Sequence, residues 1–228
     1  MSFVIPVQSG MRTAIFCILL ISTSSILPQQ SKLSKAVNYL SEYIASDYFL
    51  NLKLTNPDPV LVDSIFLRAV EFSESDYSEA LLALTFATIP YKEIPIEGPV
   101  FNNLIYYPLT SDDDSIFKLK NKNLPKYLYY DSPKSDYGDK DKLAHFFGNA
   151  FLSYSITIFD LANGFGYFVE AFEEDFKVQS KVDFRDLEVN INGYSFGKIL
   201  LDNKNVLPSD IILFRSLTFF SFIHWIQY

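Results

Sequence analysis

Apolar residues recur at three- and four-residue spacing over much of this chain, and that period predicts α-helices. Between residues 31 and 52, Leu33, Val37, Leu40, Ile44 and Tyr48 share one face of a helix. Pro57 and Pro59 end it, and Asp58 stands where it can cap a second helix carrying Val62, Ile65, Phe66, Ala69 and Val70. A third is expected from Ser75 to Thr88, with Leu81, Leu82, Leu84 and Phe86 as its apolar positions. The short links between the three favour packing side by side.

The period disappears between Ile89 and Pro133. Pro90, Pro95, Pro99, Pro108, Pro125 and Pro133 recur too often for a long helix, because each removes a backbone donor and crowds the preceding turn. This predicts a long irregular connection, with an extended segment near Val100 to Tyr107 and a turn or helix start at Asp112, Asp113 and Asp114. Tyr127, Tyr129 and Tyr130 are placed to lie across the helices that follow, with simple surface wrapping as the favoured alternative.

Downstream the helical period returns in Leu143, Phe147, Phe151, Tyr154 and Ile158, after a start that Asp139 or Asp141 is placed to cap. The rest of that helix carries a polar stripe: Lys142, His145, Asn149 and Ser153 fall within an arc of roughly 80°, with Asp141 four residues before His145. Gly164 and Gly166 interrupt, and a further helix gathers Glu170, Glu173, Glu174 and Lys177 on one side. The next helix starts with Asp183 as cap and Asp186 reaching back, and it has its own stripe. Asp186, Asn190, Gly193 and Gly197 lie within roughly 60° of one another. Its glycines would let a neighbouring helix come close, pressing Asp186 and Asn190 against it. A last helix, capped by Ser209, runs from Asp210 to Gln227. The fold class is therefore predominantly all-α, a helical bundle with a long irregular proline-rich connection. Its segments are 1–30, 31–90, 91–134 and 135–228, with everything after the first forming one compact domain.

Composition narrows the setting. At 228 residues, 49% hydrophobic and 17% aromatic, the chain can bury a full core. A formal charge of −8 and a pI near 4.8 argue against nucleic acid as a partner. From Met11 the order basic residue, apolar run, small residues reads as a secretory signal or N-terminal anchor, and the apolar run falls short of the roughly 18–20 residues that span a bilayer. The single cysteine, Cys17, lies in that run, so a processed form would hold no disulfide and no thiolate metal site. The expected location is the periplasm or cell envelope, with a membrane surface or envelope lipid as the candidate partner.

The residues Asp141-Lys142-x-x-His145-Phe146, then Glu170, then Asp183-x-Arg185-Asp186-Leu187-x-x-Asn190-x-x-Gly193-x-x-x-Gly197 resemble the VanZ-like family and its relatives, the YfiM-like predicted periplasmic lipoproteins. The resemblance covers about residues 135–200. It implies a helical bacterial cell-envelope protein whose biochemical activity is not established. The chain departs from VanZ proper in lacking several clear membrane spans, and from the lipoprotein branch in lacking a lipobox cysteine.

Four readings of the polar residues stay open. His145, Glu170, Glu173, Glu174, Asp186 and Asn190 can form a buried hydrogen-bond network that joins helices. Alternatively His145 carries protons for a hydrolase or transferase acting on a lipid or cell-wall precursor. In that case Glu170 and Asp186 are its candidate catalytic partners, and Asp141, Lys142, Asn149, Arg185 and Asn190 give support. No nucleophile of the Gly-x-Ser-x-Gly kind is present. A metal site would draw on His145, Glu170 and Glu174, although no cofactor is the favoured expectation. Finally, Lys142 and Arg185 near helix starts can meet an anionic headgroup or envelope phosphate. His224, beside Trp225 on an apolar helix, reads as a packing residue.

Overall fold

The apolar face anticipated between residues 31 and 52 is buried, but it belongs to two helices rather than one. The computed structural model describes residues 31–97, 104–108, 113–158 and 184–226, and from Lys32 onward they belong to a single unit. Helix α1 spans Lys32–Ala45 and α2 spans Asp47–Thr55. Ser46 separates them: its hydroxyl accepts from the Phe49 N–H at 3.2 Å, which caps α2 and restarts the helix in a new phase. Val37, Leu40 and Ile44 stay in the core as expected, whereas Tyr48 is 61% exposed and Phe49 takes its place inside.

Helix α3 is Asp58–Phe72 and α4 is Tyr77–Thr88. Asp76 caps α4 by accepting from Glu79 N. Asp58 does not cap α3; its Oδ2 accepts the backbone N–H groups of Lys126 and Tyr127, both at 2.7 Å, and so pins a distant loop instead.

The proline-rich connection is more ordered than its prolines suggest. Strands β1 (Glu93–Glu97) and β2 (Leu104–Pro108) pair antiparallel, with Pro95 opposite Tyr106 and Pro108 opposite Glu93. A two-stranded ladder leaves each strand one free edge, where a residue without an N–H costs no bond. Helix α5, Asp114–Asn123, follows with Asp113 as its cap. Lys53 on α2 closes its far end, donating from Nζ to the carbonyls of Asn123 at 2.8 Å and Leu124 at 3.0 Å.

Three longer helices complete the described fold: α6 (Lys140–Ile158), α7 (Phe184–Asp202) and α8 (Pro208–Ile226). The last begins two residues earlier than a Ser209 cap would set, with Pro at its first residue. The Ser209 N–H donates to Asp63 of α3 at 2.8 Å, so the neighbouring helix supplies the acceptor. Burial pushes the Asp63 carboxyl above the usual range, and those hydrogen bonds hold it down only in part. Among the described residues the fold is thus predominantly all-α, with eight helices and one hairpin. None of these helices is long and apolar enough to cross a membrane. The expected leader at 1–30, the helix bearing Glu170, Glu173 and Glu174, and the Asp183 cap lie outside the described residues, as does the side chain of His224.

Helix α6 sits between α4 and α7, α1 covers α4, and α8 lies on α3 and α7. Phe196 of α7 is the aromatic junction. Its ring meets Phe66 of α3 edge-on at 5.3 Å and Phe146 of α6 at 5.4 Å, and all three are sealed from solvent. Such pairs add about 1 kcal/mol each beyond the area they bury.

Helices α6 and α7 approach each other backbone on backbone. A Cβ on Gly193 would lie 2.1 Å from the Phe146 carbonyl oxygen, and one on Gly197 would lie 2.3 Å from that of Ala150. Gly193→Ala is therefore expected to lower the unfolding free energy by about 2 kcal/mol, as overpacking outweighs the gain in helix propensity of roughly 1 kcal/mol. Urea denaturation checks this; a variant as stable as the parent would mean the two helices are not in contact there.

Candidate functional site

The two polar stripes read from the sequence face each other across that contact. Lys142, His145, Asn149 and Ser153 line the side of α6 toward α7, and Asp186, Asn190, Gly193 and Gly197 line the side of α7 toward α6. The glycines bring the backbones together, and the longer polar side chains fill the wider end near both N-termini.

Lys142 is the charge at the centre. Its Nζ donates to Asp141 Oδ2 at 2.9 Å and to Asp186 Oδ1 at 2.5 Å, and its side chain is only 7% exposed. His145 stands beside this bridge, with Nε2 3.8 Å from Asp186 Oδ1. Asn190 Oδ1 accepts from Asn149 Nδ2 at 2.9 Å and lies 3.2 Å from His145 Nδ1. An amide oxygen can only accept, so this contact is a hydrogen bond in the tautomer that carries the imidazole proton on Nδ1, with Nε2 on the Asp186 side. Asn149 also donates to the carbonyl of His145, which locks the amide in register. Burial lowers the His145 pKa from its ordinary value; Asp186 and Asp141 oppose that, Lys142 adds to it, and the net shift is downward.

Asp141, His145 and Asp186 each offer one ligand atom within 4.8 Å of the others, the geometry a small cation requires. The Lys142 ammonium already bridges the two carboxylates. Of the three expected metal ligands, only His145 falls in the described structure; Glu170 and Glu174 lie outside it, and Asp141 and Asp186 are the donors that meet His145 instead.

A second network adjoins the first, and most of it escaped the sequence reading. Arg185 donates to Asp139, which is fully buried, and its Nη1 lies 2.9 Å from Asp131 Oδ2 and bonds the Asp131 carbonyl at 2.7 Å. Arg215 of α8 reaches Asp131 Oδ1 at 3.1 Å, pairs with Glu188, and lies over the Tyr129 ring at 4.2 Å. Burial works against the Arg185 charge, but the Asp139 and Asp131 carboxylates outweigh it and hold its pKa above the ordinary value. Asp139 does not cap α6 with its side chain, which is taken by Arg185 and the Ser132 hydroxyl. Tyr129 lies against α7 and α8 as expected, its phenol pushed up to about 12 by burial, whereas Tyr127 and Tyr130 are exposed. Asp131 and Arg215 are separated by too much chain, and flanked by too little pattern, for spacing to pair them.

Lys142 and Arg185, the two candidates for meeting an anion, are thus both committed to carboxylates. At the rim, the hydroxyls of Tyr91 and Tyr137 share a hydrogen bond of 2.6 Å. Burial, that bond and the carboxylates of Asp141 and Asp186 raise the Tyr137 phenol.

Comparison with known proteins adds no relative: no family model, no curated protein and no solved structure matches this chain.

Two outcomes follow from this geometry. Lys142→Met leaves two shielded carboxylates facing each other and is expected to cost about 3 kcal/mol of stability; a Lys142/Asp186 double-mutant cycle should return a coupling of about 1–3 kcal/mol. A coupling near zero would dissolve the bridge. For His145, the folded pKa lies below the unfolded one, so the unfolded chain binds the proton more readily as pH falls below about 6.5. Its contribution to stability is complete above that pH and is lost on acidification. His145→Gln should flatten the stability profile between pH 7 and 5, read by denaturation at each pH.

Proposed function

We propose that this chain is an exported bacterial cell-envelope protein of the VanZ-like and YfiM-like kind, acting as a structural or interaction component at the membrane or periplasmic face. In this reading the His145 cluster is a clamp between two helices. The observation that carries it is the Lys142 bridge. Here the ammonium is bound by carboxylates from both helices and the side chains are 7–17% exposed, the shielded and mutually satisfied arrangement that a structural polar network requires. The leader-like segment after Met11 supports export. The ordered set of Asp141, Lys142, His145, Arg185, Asp186, Asn190, Gly193 and Gly197 supports the family reading.

One observation favours a second reading, a hydrolase or transferase acting on a lipid or cell-wall precursor. His145 Nε2 stands 3.8 Å from Asp186 Oδ1 with Asp141 close by, and in the tautomer with its proton on Nδ1 it is suited to taking a proton from a substrate hydroxyl or water. Glu170 would be its further partner.

Substitution of His145 separates the two. A clamp predicts that His145→Ala lowers the melting temperature by several degrees, and that His145→Gln, which restores a hydrogen-bonding group, recovers part of the loss and of any cellular phenotype. Full stability in both variants together with a lost phenotype would favour the enzyme. For export, fractionation of the native host should yield a shortened chain without Cys17 in the envelope; full-length protein in the cytoplasm would defeat that part.

A further inference from the structure

Asp141 and His145 stand one turn apart on the same side of α6, and Asp186 faces them from the first turn of α7. One oxygen of each carboxylate and a ring nitrogen of the imidazole all lie within 4.8 Å of one another. His145 Nε2 is already 3.8 Å from Asp186 Oδ1. Nitrogen and oxygen ligands held about 2.0–2.2 Å from a tetrahedral metal stand about 3.4 Å apart. Small turns of these side chains, which are 13–17% exposed, would close the set around one ion.

The ring is aimed from behind by residues outside this set. In the tautomer with its proton on Nδ1, His145 donates to Asn190 Oδ1, 3.2 Å away, and Asn149 donates to the same oxygen at 2.9 Å. Asn149 also bonds the His145 carbonyl, so the ring, the amide that receives its proton and the backbone of α6 are locked together. A histidine that ligates a metal through one ring nitrogen characteristically donates its other N–H to an oxygen, which fixes both the ring and the tautomer. Asn190 gives His145 that support and leaves Nε2 for the ligand position. A plain cluster of carboxylates has no such directed nitrogen.

Lys142 shows that the point between the carboxylates takes a cation. Its ammonium lies 2.9 Å from Asp141 Oδ2 and 2.5 Å from Asp186 Oδ1. A dication offers twice the charge and gains the imidazole nitrogen by coordination, and the flexible four-carbon stem of a lysine lets the ammonium withdraw. We infer that Asp141, His145 and Asp186 bind a divalent transition metal such as zinc, with the Lys142 ammonium as the tethered cation that the metal displaces. One imidazole with two carboxylates suits zinc or manganese, whereas magnesium and calcium prefer oxygen alone. The inference rests on the clamp reading and deepens it, since a metal bonded to both helices joins α6 to α7 as the ammonium does. Because the two cations compete for the same carboxylates, Lys142 sets the affinity.

The test titrates the full chain, without an affinity tag, with Zn²⁺ by calorimetry, and compares melting temperatures with and without the metal. The expected result is saturable binding of one ion per chain, weakened about tenfold or more in His145→Ala and in Asp186→Asn. Lys142→Gln should bind about tenfold tighter or more, and Glu71→Gln, which removes an exposed carboxylate elsewhere, should bind like the parent. Zinc should also raise the melting temperature of Lys142→Gln more than that of the parent, a readout that holds even where the substitution costs stability. No saturable binding by the parent, or equal binding by an Asp186→Asn variant that melts like the parent, would overturn the inference. Zinc binding by Lys142→Gln alone would overturn it too, since the ammonium would then hold the place permanently. The Lys142/Asp186 coupling, measured in metal-free protein, tests the clamp separately: full coupling beside absent zinc binding would strike the metal and keep the clamp.

Discussion

The close approach of α6 and α7 is the constraint on which the rest of the described structure depends. Gly193 and Gly197 have no side chain to hold the helices apart, and each would drive a Cβ into the backbone of α6. Because the backbones nearly touch at that end, polar side chains one and two turns earlier are forced together and partly shut away from water. A charge or amide in that position must find its partner on the facing helix. Asp186 finds Lys142, and Asn190 finds His145 and Asn149. Backbone proximity and side-chain pairing are therefore one arrangement. The Phe66, Phe196 and Phe146 rings extend it into the apolar core and tie α3 to the same pair of helices.

Charge is distributed by the same logic. The chain has more acidic than basic groups, and three of its shielded cations, Lys142, Arg185 and Arg215, are turned onto carboxylates. Shielded ion pairs of this kind add little net stability compared with an apolar core, but removing one partner is costly, so they specify a particular packing.

Helix ends show how tertiary structure redistributes groups whose local role looks obvious. Asp58 precedes a helical run and has the chemistry of a cap, yet it holds the loop at Lys126 and Tyr127. Asp139 does likewise for Arg185 and Ser132. Conversely the start of α8 is met by Asp63, a residue of another helix. In each case a carboxylate bonds N–H groups or cations that sequence distance conceals, because the gain from satisfying a shielded donor is the same whichever element supplies the acceptor.

The helical period, the polar stripes and the two glycines were legible in the chain itself, because spacing along a helix maps directly onto its faces. Local order also marked Asp112, Asp113 and Asp114 as a turn or helix start. Only the folded chain decided that the stripe of Lys142, His145 and Asn149 faces that of Asp186 and Asn190. It also decided that Ser46 splits the first helix, that β1 and β2 pair despite their prolines, and that Asp131 joins Arg185 to Arg215. Those outcomes depend on which elements become neighbours, and periodicity within one element carries no record of the element packed against it.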